Sequence, residues 1–285
     1  MTDLNWQNLI SVNEDAVVAA RLQAHIAAQW LGRLATAFIP AQDDYSHTNL
    51  GWDREAGGLY THDLNDSGLR AGLIIEKLIL VVGAEDELEL DGRTDADVEQ
   101  WLRGVLIKYN FAADKLDLYM PEELVDHPVA QGGVYNVAGQ ADAQSAIACW
   151  FANADLILQD VAKDYGHIQP GPSPVRCWPH HFDIATLIVF EAGDPETARS
   201  IGVGLSPGDN SYGLPYFYVN PWPKPASASL PAIHPIGAWH TQGFFGAVAT
   251  ANRIIPEPDQ YAAVVSFMDT AMTANQHLLG VPVVQ

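Results

Sequence analysis

Two histidines, a carboxylate, a thiol and an indole lie close together in the segment 176–183. Side chains of these types can bind metal ions or move protons. The segment leads directly into an apolar run, residues 184–190, whose composition is typical of a buried strand. The sequence therefore predicts a functional site at the start of a strand, although the residue types alone do not name a reaction.

The alternation of side chains along a strand predicts which of these groups face the same way. If residues 175–190 form one extended strand, one face carries Cys177, His181 and Asp183. The opposite face then carries Trp178, His180 and Phe182. Pro179 favours a bulge or an edge position, so the alternation after it is the firmer part. His181 and Asp183 are therefore predicted to be companions on one strand face.

A metal ion at this pair would need a third ligand, because catalytic zinc sites commonly use three protein ligands and an open position. His240, beside a glycine-rich apolar segment, is the first candidate, and His234 is the second. No H-E-x-x-H, H-x-H or paired-cysteine motif accompanies them. Two alternatives stay open: a divalent metal ion held by His181, Asp183 and His240, or polar groups hydrogen-bonded inside a sheet.

A second group of polar side chains follows in the segment 215–222. Tyr216 and Tyr218 alternate with Phe217 and Val219, which places the two phenols on one face of a predicted strand. Aromatic residues with polar tips often line a small-molecule pocket, and equally often sit half-buried at the rim of a sheet. The predicted ligand-binding residues are Asp183, His181, Tyr216, Tyr218 and Trp178.

The charge of the chain limits its partners. Asp and Glu number 35 against 14 Lys and Arg, for a formal net charge of −21, and the excess is larger in residues 1–139 than in 140–285. Such a field repels phosphate backbones and anionic lipid, so binding to nucleic acid or to a membrane surface is not expected. Solubility or a salty environment explains this acidity, and a cationic substrate or partner is the alternative.

Other features favour a cytoplasmic location. The two cysteines are far apart and form no C-x-x-C motif. The N-terminal residues lack a basic region followed by an apolar one, so no signal peptide is expected. The longest apolar stretch, 73–84, is interrupted by charges and is too short to span a bilayer.

Hydrophobic periodicity predicts an α+β fold with helices packed on mainly antiparallel sheets. Helices are expected at 14–38, 95–109, 141–165 and 258–279. Strands are expected within 49–90, where 73–82 is one of them, and at 115–119, 175–190, 201–205 and 215–219. Residues 1–139 and 140–285 both read as a helix, several strands and a helix, so we expect two similarly built halves or one continuous domain.

Three short motifs resemble an uncharacterised family of bacterial proteins of about this length. They are Ser173-Pro174-Val175, Phe182-Asp183-Ile184-Ala185 and Pro215-Tyr216-Phe217-Tyr218. The resemblance extends in layout over most of the chain and implies no established activity. The chain departs from it at His180 and His181, where the family has small residues. The resemblance therefore supports Asp183 as a site residue and does not support a histidine metal site.

Three functional hypotheses follow from the sequence. The first is a small-molecule-binding protein with a pocket near Asp183, Tyr216, Tyr218 and His240. The second is a metal-dependent hydrolase in which His181, Asp183 and His240 hold the ion that activates water. The third is a non-catalytic interaction module whose acidic first half meets a basic partner.

Overall fold

The computed structural model describes residues 5–116, 126–226 and 229–283, and it divides the chain into two compact units. The N-terminal unit contains residues 12–148 and 176–182. The C-terminal unit contains residues 1–11, 149–175 and 183–285. The described residues form five α-helices and two sheets whose strand pairings are antiparallel, which confirms the predicted α+β class.

The N-terminal unit is built from two helices and a five-stranded meander. Helices α1 (Glu14–Phe38) and α2 (Asp95–Lys108) flank a sheet in sequential order. Its strands are β1 (Gly51–Asp53), β2 (Gly58–Tyr60), β3 (Ala71–Ile74), β4 (Ile79–Val82) and β5 (Asp86–Glu89). Helix α1 packs on β3 and α2 packs on β5.

Local sequence explains where these helices begin. The Asn13 side chain accepts a hydrogen bond from the Ala16 amide at 3.0 Å, which caps the free amides of the first turn of α1. Thr94 and Asp97 form a reciprocal capping box at the start of α2. Both helices begin where the sequence predicts them.

One face of the five-stranded sheet is a ladder of leucines. Leu59, Leu73, Leu80 and Leu88 lie opposite one another on β2 to β5, and the first three are almost fully buried. On the other face, the Tyr60 ring covers Gly72, where an added Cβ would lie only 2.4 Å from the ring. An aromatic ring lying over a cross-strand glycine covers backbone that the glycine leaves bare.

Helix α3 (Ala141–Asp164) contributes residues to both units, and from Cys149 onward it belongs to the C-terminal unit. That unit contains a sheet in the order β11-β12-β10-β9-β8-β6. Its strands are β6 (Gly171–Pro172), β8 (Asp183–Val189), β9 (Ser200–Ser206), β10 (Tyr216–Trp222), β11 (Gly237–His240) and β12 (Gly246–Thr250). The remaining helices are α4 (Ala251–Ile254) and α5 (Gln260–Leu279).

The C-terminal unit buries one face of its sheet under helices. Helix α5 packs on β9, β10 and β12, and the Trp150 ring of α3 lies 6.1 Å from the Phe217 ring. Strand register aligns Ile184, Leu205, Phe217 and Ala249 on this face, and all four are fully buried. The alternate residues of β10, Tyr216, Tyr218 and Asn220, therefore share the other face, which we call the tyrosine face.

The structure corrects three predictions about strands. Residues 175–190 are not one strand, because β7 (Arg176–Trp178) and β8 are separated by a turn in which Phe182 has φ of 57°. The run 73–82 folds as the hairpin of β3 and β4. The strand expected at 115–119 is not formed at its start, where residues 113–115 make a 3-10 turn, and residues 117–119 lie outside the described ranges.

No helix in the described ranges is long and apolar enough to cross a lipid bilayer.

Candidate functional site

Asp183 and Tyr218 form the shortest carboxylate–phenol contact of the tyrosine face. Asp183 opens β8 and Tyr218 lies on β10, with β9 between them. The Tyr218 hydroxyl donates to Asp183 Oδ2 at 2.5 Å. Both residues are half-buried, and Asp183 Oδ1 is shielded from solvent.

A glycine on the intervening strand makes this contact possible. Gly204 lies opposite both Tyr218 and Ala185 in the sheet register. A Cβ at Gly204 would lie 2.5 Å from the Tyr218 hydroxyl oxygen and 2.8 Å from the Ile184 carbonyl oxygen. Because Gly204 has no side chain, β9 leaves space for the Tyr218 phenol to reach the Asp183 carboxylate.

Asn220 is the next residue along the tyrosine face after Tyr218. Its Oδ1 atom is shielded from solvent and accepts no hydrogen bond from any described residue. Gly202 lies opposite it on β9, and a Cβ there would lie 2.6 Å from Asn220 Oδ1. Buried acceptors in native proteins almost always have a donor, so this unsatisfied atom is unusual.

A second carboxylate–phenol pair lies on the same strand, at Tyr216. The Tyr216 hydroxyl donates to Asp209 Oδ2 at 2.6 Å. Asp209 Oδ1 meanwhile accepts from the Ser211 and Tyr212 amides at 2.7 and 3.0 Å, so the turn holds the carboxylate in place. Burial, reinforced by the Asp209 carboxylate, raises the pKa of Tyr216 far above its ordinary value, and the phenol stays protonated as a donor.

His240 is fixed by aromatic and polar neighbours. Its Nδ1 lies 2.8 Å from the Tyr212 hydroxyl, and its Nε2 contacts the Gln242 carbonyl oxygen. The ring stacks on Phe244 with centroids 4.0 Å apart. Because a carbonyl oxygen only accepts, Nε2 carries the proton, and both ring nitrogens of His240 are engaged within the unit.

The other predicted residues lie in the N-terminal unit. Trp178 is on β7, and its ring contacts that of His180 edge-on at 6.0 Å. His181 is in the turn that follows β7, and its ring lies 4.1 Å from that of His180. The expectation that His181 and Asp183 share a strand face is therefore wrong, since the turn ends the alternation between them.

The described residues contain no group of three or more His, Cys, Asp or Glu side chains placed to hold a metal ion. His181, Asp183 and His240 accordingly do not form such a group. The structure brings Asp183, Tyr216, Tyr218 and His240 into one unit and places His181 and Trp178 in the other.

Helix α1 determines the shape of the histidine-rich turn. Gln29 Nε2 donates to the Pro179 carbonyl at 2.5 Å, and His25 Nε2 lies 2.8 Å from the same oxygen. The His25 ring also stacks on Phe182, with centroids 5.2 Å apart. His25 is therefore packed against the turn.

Sequence reasoning identified neither Asn220 nor Asp209 as a site residue. The alternation that paired Tyr216 with Tyr218 continues to Asn220, so the periodicity of β10 was sufficient to include it. The role of Asp209 depends on how the turn folds back to β10, which periodicity does not encode.

Comparisons with known proteins add no assignment to this geometry. No family model, no curated protein and no solved structure matches the chain. The resemblance carried by the Ser-Pro-Val and Phe-Asp-Ile-Ala motifs therefore stays a prediction.

Proposed function

We propose that the protein binds a small molecule on the tyrosine face, and that the ligand donates a hydrogen bond to Asn220 Oδ1. The observation that carries this proposal is the shielded Asn220 oxygen, which accepts no hydrogen bond from the described residues. Leaving a buried acceptor unsatisfied costs about 1–3 kcal/mol. A ligand donor at this position would recover that free energy, which makes the atom a source of affinity.

The groups on and beside the tyrosine face indicate the chemistry of the ligand. Asp183 and Asp209 place carboxylates there through their bonds to Tyr218 and Tyr216, and Trp222, which is 46% exposed, adds aromatic surface. Carboxylates with aromatic rings suit amines through cation–π attraction, and they also suit hydroxyl-rich molecules. The net charge of −21 raises the local concentration of cationic ligands further. We therefore favour an amine over a polyol.

The test is a thermal-shift screen with small primary amines and sugar alcohols at constant ionic strength, followed by calorimetry on each compound that raises the melting temperature. In Asn220→Ala the unliganded protein should melt no lower than the wild type, because an unsatisfied polar group has been removed. The affinity of this variant for the ligand, measured by calorimetry, should be at least about tenfold lower, which corresponds to about 1.4 kcal/mol.

Two variants separate binding from folding. Tyr218→Phe removes only the hydroxyl that orients Asp183 and should weaken the same ligand. Asn275→Ala is the matched control, because its Oδ1 is also buried without a described donor, but it lies on helix α5 and its amide bonds Val219 and Ala271. The proposal fails if no compound binds, or if Asn220→Ala binds as tightly as the wild type.

A further inference from the structure

The N-terminal unit contains a polar cleft that none of the functional hypotheses uses. It lies on the face of the five-stranded sheet opposite the leucine ladder, beside β1 and β2, and has a volume of about 300 Å³. Its charged groups are Asp53, Asp63, Arg70 and Arg176, accompanied by His62 and Tyr60. A volume at the lower end of the range for ligand sites limits the occupant to a small molecule.

Arg176 lies over β1 at Gly51, which has no side chain. Its Nη1 atom lies 3.2 Å from the position that a Cβ on Gly51 would take. The absence of a side chain at Gly51 therefore lets the guanidinium approach the backbone of β1 closely. A guanidinium can bind a carboxylate through two parallel hydrogen bonds.

One negative group of the cleft is Asp53, which lies two residues after Gly51 on β1. Its Oδ1 accepts from the amides of Glu55 and Ala56 at 3.1 Å, so the turn after β1 fixes the carboxylate. Its Oδ2 forms an ion pair with Arg70 Nη2 at 3.7 Å, a separation too long for a direct hydrogen bond. The Arg70 guanidinium lies over the Tyr60 ring at 5.2 Å. Gly51, which Arg176 overlies, and Asp53 are alternate residues on one face of β1, so their Cα atoms are about 7 Å apart.

His62 completes this end of the cleft as a neutral group. Its Nε2 lies 2.9 Å from Asn49 Oδ1, and because an amide oxygen accepts, the nitrogen is the donor. Burial, helped by the nearby charge of Arg176, lowers the pKa of His62. At neutral pH the two aspartates and two arginines therefore balance, and the cleft has no net charge.

We propose that this cleft binds a small zwitterion, such as an amino acid, with the ligand carboxylate on Arg176 and its ammonium on Asp53. A cleft of balanced charge with its two signs separated along one strand complements a molecule of the same pattern. The field of a chain with net charge −21 opposes the entry of a simple anion, whereas a zwitterion has no net charge to be repelled. The site is separate from the tyrosine face and does not depend on it.

The experiment is calorimetric titration of the full chain with the common L-amino acids, with acetate and with methylammonium, at constant ionic strength. At least one amino acid should bind, and acetate and methylammonium should each bind at least about tenfold more weakly, since each satisfies only one charge. Arg176→Gln and Asp53→Asn should each weaken the amino acid by about tenfold or more. The Asp53→Asn change keeps the Oδ1 acceptor that the turn requires.

Arg54→Gln is the matched control, because Arg54 is an exposed arginine beside Asp53 that does not line the cleft. It removes the same charge and should leave the affinity unchanged. If Arg176→Gln does not fold, as judged by circular dichroism, Asp53→Asn and Arg176→Lys decide the question. Acetate binding as tightly as the amino acid would indicate an anion site and overturn the proposal. Absence of binding by every amino acid, or equal weakening by Arg54→Gln, would also overturn it.

Discussion

The protonation of His25 makes the stability of the fold around the histidine-rich turn depend on pH. Burial lowers the pKa of His25 from 6.5 to about 4, because the charged imidazole would lose its hydration between α1 and Phe182. The neutral ring donates Nε2–H to the Pro179 carbonyl, which favours protonation only slightly against the effect of burial. The folded state thus binds this proton less readily than the unfolded chain does.

This difference predicts how stability depends on pH. The contribution of neutral His25 is complete above pH 6.5 and is lost as the pH falls from 6.5 to about 4, by roughly 3 kcal/mol in total. Chemical denaturation of the wild type and of His25→Gln at pH 7 and pH 4.5 measures it. Gln retains a donor and cannot titrate, so the variant should lose distinctly less free energy of unfolding than the wild type. Equal losses in both proteins would contradict the buried neutral state.

Side-chain types indicated part of the candidate site. Asp183, Tyr216 and Tyr218 were identified from alternation and from the resemblance, and the structure places them in one unit. The pairing of Tyr218 with Asp183 was not predictable, because it depends on β9 lying between β8 and β10 and on Gly204 leaving space. Contacts between strands distant in sequence are set by register, which no local pattern contains.

At the scale of elements, two glycines differ in whether the structure leaves space for a side chain. In Gly204→Ala the new Cβ would meet the Tyr218 ring at 2.5 Å and the Ile184 carbonyl at 2.8 Å, so we expect a loss of about 1–3 kcal/mol in unfolding free energy. Gly104 lies in the exposed part of α2 with no atom within 4 Å of an added Cβ. Gly104→Ala should therefore stabilise the protein, by about 0.5–1 kcal/mol.

Urea denaturation of both variants beside the wild type distinguishes these opposite signs. If Gly204→Ala left the free energy of unfolding unchanged, β9 would have to shift to accept the methyl group. That result would count against a rigid packing of Tyr218 over Gly204. A destabilised Gly104→Ala would show that α2 requires glycine for a reason outside its described contacts.

The elements also show where periodicity fails. The four long helices have the predicted bounds within one or two residues, because apolar spacing and caps are local. The run 175–190 was predicted as a single strand because its composition is continuous. The structure ends β7 at Trp178 because helix α1, far away in sequence, binds the Pro179 carbonyl through His25 and Gln29. A tertiary contact of this kind overrides strand propensity.

At the scale of the whole molecule, the acidic excess opposes folding by self-repulsion. The ion pairs among the described residues, such as Arg199–Glu191 and Lys108–Asp86, are at the surface and contribute little. Repulsion therefore outweighs them, and screening should raise stability. We expect the melting temperature to rise between 10 mM and 300 mM NaCl, with most of the rise at the low end. A fall over this range would show that the ion pairs dominate.

The interaction hypothesis concerns the same charge. A basic partner recruited by the acidic excess would bind in a salt-sensitive manner, because exposed charges are screened within about 8 Å at physiological ionic strength. The tyrosine face and the polar cleft, in contrast, have defined acceptors and donors among the described residues. Hydrophobic periodicity predicted the fold class of the chain, whereas the two proposed binding surfaces required the arrangement of strands.

The rings that cover glycines also constrain how this sequence can diverge. At Gly72 the nearest atoms to an added Cβ all belong to the Tyr60 ring, so a larger residue there is acceptable once Tyr60 becomes small. At Gly204 the Ile184 backbone is also in the way, and no change at Tyr218 removes it. Positions 60 and 72 should therefore covary among descendants of a common ancestor, while glycine at 204 should be inherited unchanged.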